Sequence, residues 1–252
     1  MAPMRYWPIL LLLAALGCAD AHARLRAGVA AVPITPFGKH DDWKGPLTAL
    51  GVWGDETNRI WIAGFGPNRP AEGRHDELWV RALVLQTEET RVALVSLDLI
   101  GYYQNAGFYG VDHALKQLRP GLKFDAVIVS STHNHEGPDT IGLWGPKLGV
   151  DGKYPDYLRF VDRQIARALE QAAEKRKMAE VRVRLGAIRE PELRALQVRT
   201  SHRPPNFFDE ELRVMQLIAA SGRREGKALA TLIQWNTHPE SMEGANRILT
   251  SD

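Results

Sequence analysis

Residues 124–138 read Phe124-Asp125-Ala126-Val127-Ile128-Val129-Ser130-Ser131-Thr132-His133-Asn134-His135-Glu136-Gly137-Pro138, an apolar β-type run that leads into a polar loop and a Gly-Pro turn. The apolar run predicts a strand, and the loop carries two histidines one residue apart. In an extended chain, residues i and i+2 face the same way about 6 to 7 Å apart, so both imidazoles can address one cavity. Neutral imidazole is the commonest side-chain ligand for metal ions, and loops at strand ends often carry function. The segment therefore predicts a sheet with a candidate metal site at the end of one strand.

Further apolar runs before and after this segment predict additional strands of a sheet. They lie at Arg26 to Ile34, Leu78 to Gln86, Arg91 to Leu99, Val181 to Ile188, Leu212 to Ala219 and Ala228 to Trp235. The second and third runs flank the polar turn Glu88-Glu89-Thr90 and predict a hairpin. Helices are predicted over Phe108 to Leu118 and over Asp156 to Met178, where apolar residues recur every three or four positions. This order predicts an α/β fold in which mixed β-sheets are flanked by helices.

Length and composition set the broad class of the protein. The chain has 252 residues, of which 44% are hydrophobic and 25% charged, as in ordinary globular proteins. This length accommodates one large domain or two modest ones. The formal net charge of +2 is too small to favour a nucleic-acid partner. Nothing in the pattern indicates an oligomeric state.

Residues 1–23 have the features of a secretory signal peptide. Arg5 precedes an apolar stretch from Trp7 to Gly17 that is too short to span a bilayer comfortably, and small residues follow it. Cleavage is expected after Ala21 or Ala23, which predicts a secreted or periplasmic protein with its domain at residues 24–252. Removal of this leader would also remove Cys18, the one cysteine of the chain. Lipid anchoring at Cys18 is the alternative.

A third histidine follows another apolar run in the same way. His238 lies in Gln234-Trp235-Asn236-Thr237-His238-Pro239-Glu240, where the proline forces the backbone out of the sheet. A catalytic zinc ion generally takes three protein ligands and keeps one position open. His133, His135 and His238 therefore predict one metal pocket built at two strand ends.

Five ordered segments resemble landmarks of the neutral/alkaline non-lysosomal ceramidase family, in its N-terminal catalytic domain. They are Leu25-Arg26-Ala27-Gly28-Val29-Ala30 with Ile34-Thr35-Pro36, His75-Asp76-Glu77-Leu78-Trp79-Val80-Arg81-Ala82-Leu83-Val84-Leu85, Ser96-Leu97-Asp98, Thr132-His133-Asn134-His135-Glu136-Gly137-Pro138 and Trp235-Asn236-Thr237-His238-Pro239. The resemblance implies the N-terminal part of a ceramidase-like catalytic domain. It also implies a zinc-dependent hydrolase that cleaves an N-acyl bond in ceramide or a related lipid, with peripheral membrane contact as a further expectation.

The same resemblance implies a role for each histidine. His133 and His238 match zinc ligands, whereas His135 matches the histidine that faces the substrate amide. Zinc would lower the pKa of a water molecule to about 7 and polarise the carbonyl group. His135 would then hydrogen-bond the developing oxyanion or transfer a proton.

Some positions depart from the family pattern. Glu136 replaces the usual serine, and it either raises the pKa of His135 or is solvated; we expect the solvated state. The family's arginine has a loose counterpart in Arg203, which we expect to be a surface residue.

Three acids lie closest to predicted strand ends or to His238: Asp98, Glu240 and Asp252. Asp98 is the favoured one, and it is either a ligand or hydrogen-bond partner of a metal-bound histidine, or a carboxylate that caps a turn at the strand end.

The end of the chain is the last departure. Leu249-Thr250-Ser251-Asp252 resembles a segment that continues in the family, so a glutamate, a tyrosine and a serine of the site are expected beyond Asp252. The domain is therefore expected to be truncated at its C-terminus, and the activity of this chain stays open. The alternatives are a non-catalytic exported binding or remnant domain, and another His-x-His metal hydrolase.

Overall fold

The computed structural model describes residues 24–36, 59–189, 209 and 211–251. Within these ranges the elements are, in chain order, β1 (Arg26–Pro33), β2 (Gly73–Arg74), β3 (Trp79–Gln86), β4 (Arg91–Leu97), α1 (Val111–Lys116), β5 (Ala126–Ser131), α2 (Pro155–Ala172), β6 (Ala179–Arg189), β7 (Glu211–Ala219), β8 (Ala228–Gln234) and β9 (Ile248–Leu249). The predicted signal peptide and Arg203 lie outside the described residues.

The described strands form a seven-stranded mixed sheet in the order β5-β4-β3-β1-β6-β7-β8, and β2 pairs with β9 in a small second sheet. The predicted hairpin is present as β3 and β4, with Val80 opposite Leu97 and Gln86 opposite Arg91. β4 and β5 are parallel, and the crossover that such a pairing requires contains α1. The mixed sheet with few helices confirms the predicted fold class.

The amphipathic helix α2 covers one face of the sheet. Its apolar residues Leu158, Val161, Ile165 and Leu169 are fully buried and belong to the main core, together with side chains of β3 and β4. Full burial of each such side chain contributes about 1.5 to 3 kcal/mol to folding. The contact with β1 is close, because a Cβ atom at Gly28 would lie 2.0 Å from the carbonyl oxygen of Ala172. Glycine at this position allows the helix to approach the strand.

Both helices are shorter than predicted. The backbone at Gly110 has φ 126°, so it cannot continue a helix toward Phe108, and α1 begins at Val111. α2 ends at Ala172 because the chain turns there to enter β6; Arg26 donates to the carbonyl oxygens of Lys175 and Met178 within that turn. Among the described residues, no helix is long and apolar enough to cross a bilayer.

The opposite face of the sheet is covered by the last strands. β6 pairs with β1 over two residues, Arg26 with Glu180 and Ala27 with Ala179, so β6, β7 and β8 can turn away from the rest of the sheet. A small second core of Ala27, Leu83, Val181 and Leu217 joins the two parts. Beyond this core, β8 faces β3, β4 and β5 across a mainly apolar cleft of about 700 Å³.

Candidate metal centre

The three predicted histidines meet, although their strands lie at opposite edges of the sheet. His133 and His135 follow β5, and His238 follows β8. The ring centroids are 4.8 Å apart for His133 and His135, 4.6 Å for His133 and His238, and 5.0 Å for His135 and His238. One nitrogen from each ring lies within 4.8 Å of nitrogens of the other two. Three imidazoles with this spacing can hold one metal ion.

The backbone geometry of the first pair differs from the prediction. β5 ends at Ser131, and His133 has φ 64°, so the two histidines do not lie on an extended strand. A left-handed conformation at a residue other than glycine is uncommon and is usually held by local contacts. Here the ring of His133 places Nδ1 2.9 Å from the carbonyl oxygen of Ile100, in the loop after β4. The imidazoles thus converge through a turn and a side-chain hydrogen bond.

The hydrogen bond of His133 also sets which ring nitrogen can bind a metal. A carbonyl oxygen only accepts hydrogen bonds, so Nδ1 of His133 carries the proton and Nε2 keeps its lone pair. Donation of the second ring N–H to an oxygen is the usual arrangement for a metal-binding histidine. His133 is therefore in the tautomer that a ligand through Nε2 requires.

A carboxylate fixes His238 in a similar way. Oε1 of Glu240 lies 2.9 Å from Nδ1 of His238 and 3.3 Å from Nδ1 of His135. A proton on Nδ1 of His238 leaves Nε2 of that ring as the free lone pair. His238 is exposed, while His135 is buried beneath the edge of the Phe65 ring. One carboxylate therefore lies against both rings. The assignment of His135 to the substrate stays a prediction.

The prediction that Glu136 is solvated is wrong. Glu136 is fully buried, and its Oε2 accepts a hydrogen bond of 2.7 Å from Nη2 of Arg69. Arg69 is itself 2% exposed. Burial lowers the pKa of Arg69, and the charge and hydrogen bond of Glu136 oppose this shift. A charged residue beside a Gly-Pro turn is usually exposed, which is why the sequence indicated solvation. Glu136 is buried instead because Arg69, from a distant loop, pairs with it.

Asp98 caps the end of a strand. Its carboxylate accepts hydrogen bonds from the backbone N–H of Trp79 at 2.9 Å and from Nη1 of Arg81 at 2.6 Å. Burial raises the pKa of Asp98, and Arg81 opposes the shift. Of the two roles predicted for Asp98, the structure shows the capping role at the strand end. Glu240, two residues after His238, is the carboxylate that contacts the histidines.

Asn134, between the two histidines, and Asp139, after them, fix the path of the loop. The side chain of Asn134 accepts from the backbone N–H of Glu136 at 2.8 Å and donates to the carbonyl oxygen of Thr250 at 2.8 Å. The carboxylate of Asp139 accepts four backbone N–H groups, from residues Ile141, Gly142, Trp144 and Gly152. These buried side chains determine the path of the loop. Sequence reasoning missed Asp139, although an acid followed by several glycines is a typical signal for such a turn.

No family model matches the sequence. Among solved structures, the chain is similar to neutral ceramidase from Pseudomonas aeruginosa, with a TM-score of 0.64 and 19% identity over 91% of this chain. It is also similar to a structure described as ceramidase complexed with C2, with a TM-score of 0.61 and 18% identity over 91% of this chain. In both cases it spans 34% of the length of the other chain. The described residues thus have the fold of part of a ceramidase.

Proposed function

We propose that this protein is a zinc-dependent hydrolase of the ceramidase-like type, which cleaves the N-acyl bond of ceramide or a related lipid. The carrying observation is the convergence of His133, His135 and His238, with ligand nitrogens within 4.8 Å of one another. The ceramidase fold supports the reaction class. Export of the protein through its leader, residues 1–23, is part of the proposal, as is a catalytic domain over residues 24–252.

His133 and His238 are proposed as the zinc ligands. Both rings place Nδ1 against an oxygen, from Ile100 or Glu240, which leaves Nε2 of each ring for the ion. When bound, zinc would polarise the scissile carbonyl group and lower the pKa of water at the site. His135 lies within 5.0 Å of both other rings, close enough to donate to the developing negative charge or to carry a proton.

The apolar cleft supports a lipid-like substrate. It lies between the two parts of the sheet and is lined by residues such as Leu94, Ile128, Ala230 and Leu232. Ser130 and Gln234 also line it, and these residues come just before the two histidine-bearing loops. An acyl chain in the cleft would therefore place its amide near the histidines. The cleft combines residues from several strands, so no single strand of the sequence carries the pattern of a lipid-binding site.

The first experiment measures zinc in the purified protein and in three variants. We expect about one zinc ion per chain, lost in His133→Ala and His238→Ala and kept in the matched control His75→Ala, since His75 is exposed and lies outside the cluster. A wild-type protein without zinc after growth in ample metal would overturn the metal centre.

The second experiment measures hydrolysis of a fluorescent N-acyl-sphingosine. We expect turnover by the zinc-loaded protein and its loss in His135→Ala with zinc retained. A zinc-loaded protein that leaves every N-acyl lipid intact would favour the non-catalytic exported binding domain. Cleavage of another substrate class would instead favour a different His-x-His metal hydrolase.

A further inference from the structure

A buried guanidinium joins three separate segments beneath the histidines. Nη1 of Arg69 donates to the carbonyl oxygens of Ala63 at 2.8 Å and His135 at 3.2 Å. Nη2 donates to Oε2 of Glu136 at 2.7 Å and to the carbonyl oxygen of Asn246 at 3.3 Å. One planar group therefore fixes the loop before β2, the peptide of His135 and the chain that follows His238.

Glu136 completes this connection from the other side. Its Oε2 also accepts from Nδ2 of Asn246 at 2.8 Å, and its carbonyl oxygen accepts from the backbone N–H of Thr250 at 3.3 Å. Glu136 follows His135 directly, whereas Asn246 and Thr250 lie in the segment after His238. The carboxylate thus joins the two parts of the chain that carry the histidines.

Phe65 adds a contact between the same cation and the ring of His135. The guanidinium carbon of Arg69 lies 5.3 Å from the centroid of the Phe65 ring. The Phe65 ring in turn meets the His135 ring edge-on, with centroids 5.3 Å apart. Such cation–π and edge-to-face contacts are attractive and favour one relative orientation of the groups. Arg69 therefore constrains His135 through its backbone and through its ring.

A contribution to fold stability does not by itself explain why this buried ion pair is present. Removing two charges from water is costly, and replacement of a buried pair by apolar residues of similar volume is often neutral or stabilising. The guanidinium does supply a rigid fork of donors that fixes the directions of several acceptors at once. Functional sites need this kind of support, because their side chains must stay within about 0.5 Å of the working geometry.

We propose that Arg69 and Glu136 are positioning residues that hold His135 in register with His133 and His238. This inference rests on the proposed function in treating the three-histidine cluster as a metal centre. Neither residue belongs to the three-histidine cluster. Their effect is transmitted through the carbonyl group of His135, the Phe65 ring and the segment that contains Asn246.

The test compares two kinds of replacement with a matched control. Glu136→Gln keeps the shape of the side chain and removes its charge, while the double variant Arg69→Met with Glu136→Leu replaces the pair by apolar side chains. Arg81→Met removes an arginine that also pairs with a buried carboxylate, that of Asp98, and neither residue belongs to the cluster. Chemical unfolding, Co²⁺ affinity and the visible spectrum of bound Co²⁺ are measured for each protein.

We expect both replacements to weaken Co²⁺ binding by about 10- to 100-fold, because release of the segment with Asn246 also frees the proposed ligand His238, and to change the spectrum. Arg81→Met should keep the wild-type affinity and spectrum. The double variant is expected to unfold at a denaturant concentration close to that of wild type, which separates positioning from stability. Wild-type affinity and spectrum in both replacements would overturn the proposal. A loss of Co²⁺ affinity that is proportional to the loss of folded protein would also overturn it.

A second readout does not depend on metal. Imidazole ¹⁵N resonances of the metal-free proteins report the surroundings of His133, His135 and His238. We expect the resonances of His135 to shift in both replacements and to remain unchanged in Arg81→Met. A wild-type protein that binds no Co²⁺ would overturn the metal centre, while unchanged His135 resonances in the replacements would overturn the positioning role.

Discussion

Gly64 lies directly against His135: a Cβ atom at Gly64 would stand 2.6 Å from Cβ and 2.8 Å from Cγ of that histidine. Real Cβ atoms essentially never approach other carbon atoms this closely, so a side chain at Gly64 would force a shift. Gly64 also has φ 114°, which side-chain-bearing residues rarely adopt. The position of the His135 ring thus depends on the absence of a side chain at Gly64.

We therefore expect Gly64→Ala to displace His135 and to reduce hydrolysis by about 100-fold, as a misplacement of about 1 Å at a reacting group does. Zinc content and steady-state kinetics check this expectation. Gly66→Ala is the matched control, because a Cβ atom at Gly66 would meet no atom within 4 Å. Equal activity of the two variants would show that the contact at Gly64 is unimportant for the site.

Glu240 offers one oxygen to two of the three rings. Replacement by glutamine keeps the length of the side chain but removes the charge that favours an imidazole N–H donor. We expect Glu240→Gln to weaken zinc binding by about 10- to 100-fold, the usual cost of losing a partner of a metal-bound histidine. Competition with a fluorescent chelator measures the affinity. Glu243→Gln, in the same loop, should bind zinc like wild type, and similar losses in both variants would contradict a specific role for Glu240.

Asp139 needs both carboxylate oxygens to hold the loop after the histidines. Each oxygen accepts hydrogen bonds from two backbone N–H groups. In Asp139→Asn, the new NH₂ group would face two of these donors. We expect a loss of about 2 to 4 kcal/mol in the free energy of unfolding, since two buried N–H groups lose their acceptor. Urea unfolding measures this loss. Asp151→Asn, at an exposed acid of the same loop, should cost little; equal losses would contradict the role of Asp139.

Local patterns predicted the elements that carry the site. Alternating apolar residues and a polar turn were enough to identify the β3–β4 hairpin, and the placement of each histidine after an apolar run predicted its position at a strand end. These features depend on neighbours in sequence, where hydrophobic periodicity and turn chemistry act directly. The convergence of the three histidines was a prediction from this placement and from resemblance, and the described geometry agrees with it.

Long-range pairing could not be predicted in the same way. Glu136 is buried because Arg69, 67 residues earlier, neutralises it, and nothing in the local sequence of either residue indicates the partner. The left-handed turn at His133 depends on the carbonyl group of Ile100, which the separate loop after β4 supplies. The cleft likewise depends on the two-residue pairing of β1 with β6, which lets the last strands cross the sheet.

The cleft should determine preference for the length of the acyl chain. Ile128 lines the cleft and is 60% exposed, so the fold should tolerate arginine there. Ile128→Arg would place a charge in an apolar channel, and we expect KM for a long-chain N-acyl substrate to rise by about tenfold or more, with little change for an N-acetyl substrate. Leu185→Arg, at an exposed apolar residue on β6 outside the cleft lining, is the control. Equal increases in KM for the long-chain and N-acetyl substrates would show that the cleft does not bind the acyl chain.

Asp162 should make stability depend on pH. Its carboxylate is buried between α1 and α2, where it accepts hydrogen bonds from the hydroxyl group of Tyr102 and the backbone N–H of Gly110. Burial raises its pKa to about 6, although both hydrogen bonds oppose the shift. The folded state therefore binds this proton more tightly than the unfolded state, whose carboxyl group has a pKa near 3.8.

The contribution of Asp162 to stability is therefore fully present below about pH 4 and is lost as pH rises through about 6. Asparagine resembles the protonated acid and cannot ionise, so Asp162→Asn should gain stability relative to wild type as pH rises from 4 to 7. Urea unfolding at several pH values measures this difference. Asp156→Asn, at an exposed acid in the first turn of α2, should show no such trend. A constant difference between Asp162→Asn and wild type across this range would mean that the buried carboxyl group does not titrate there.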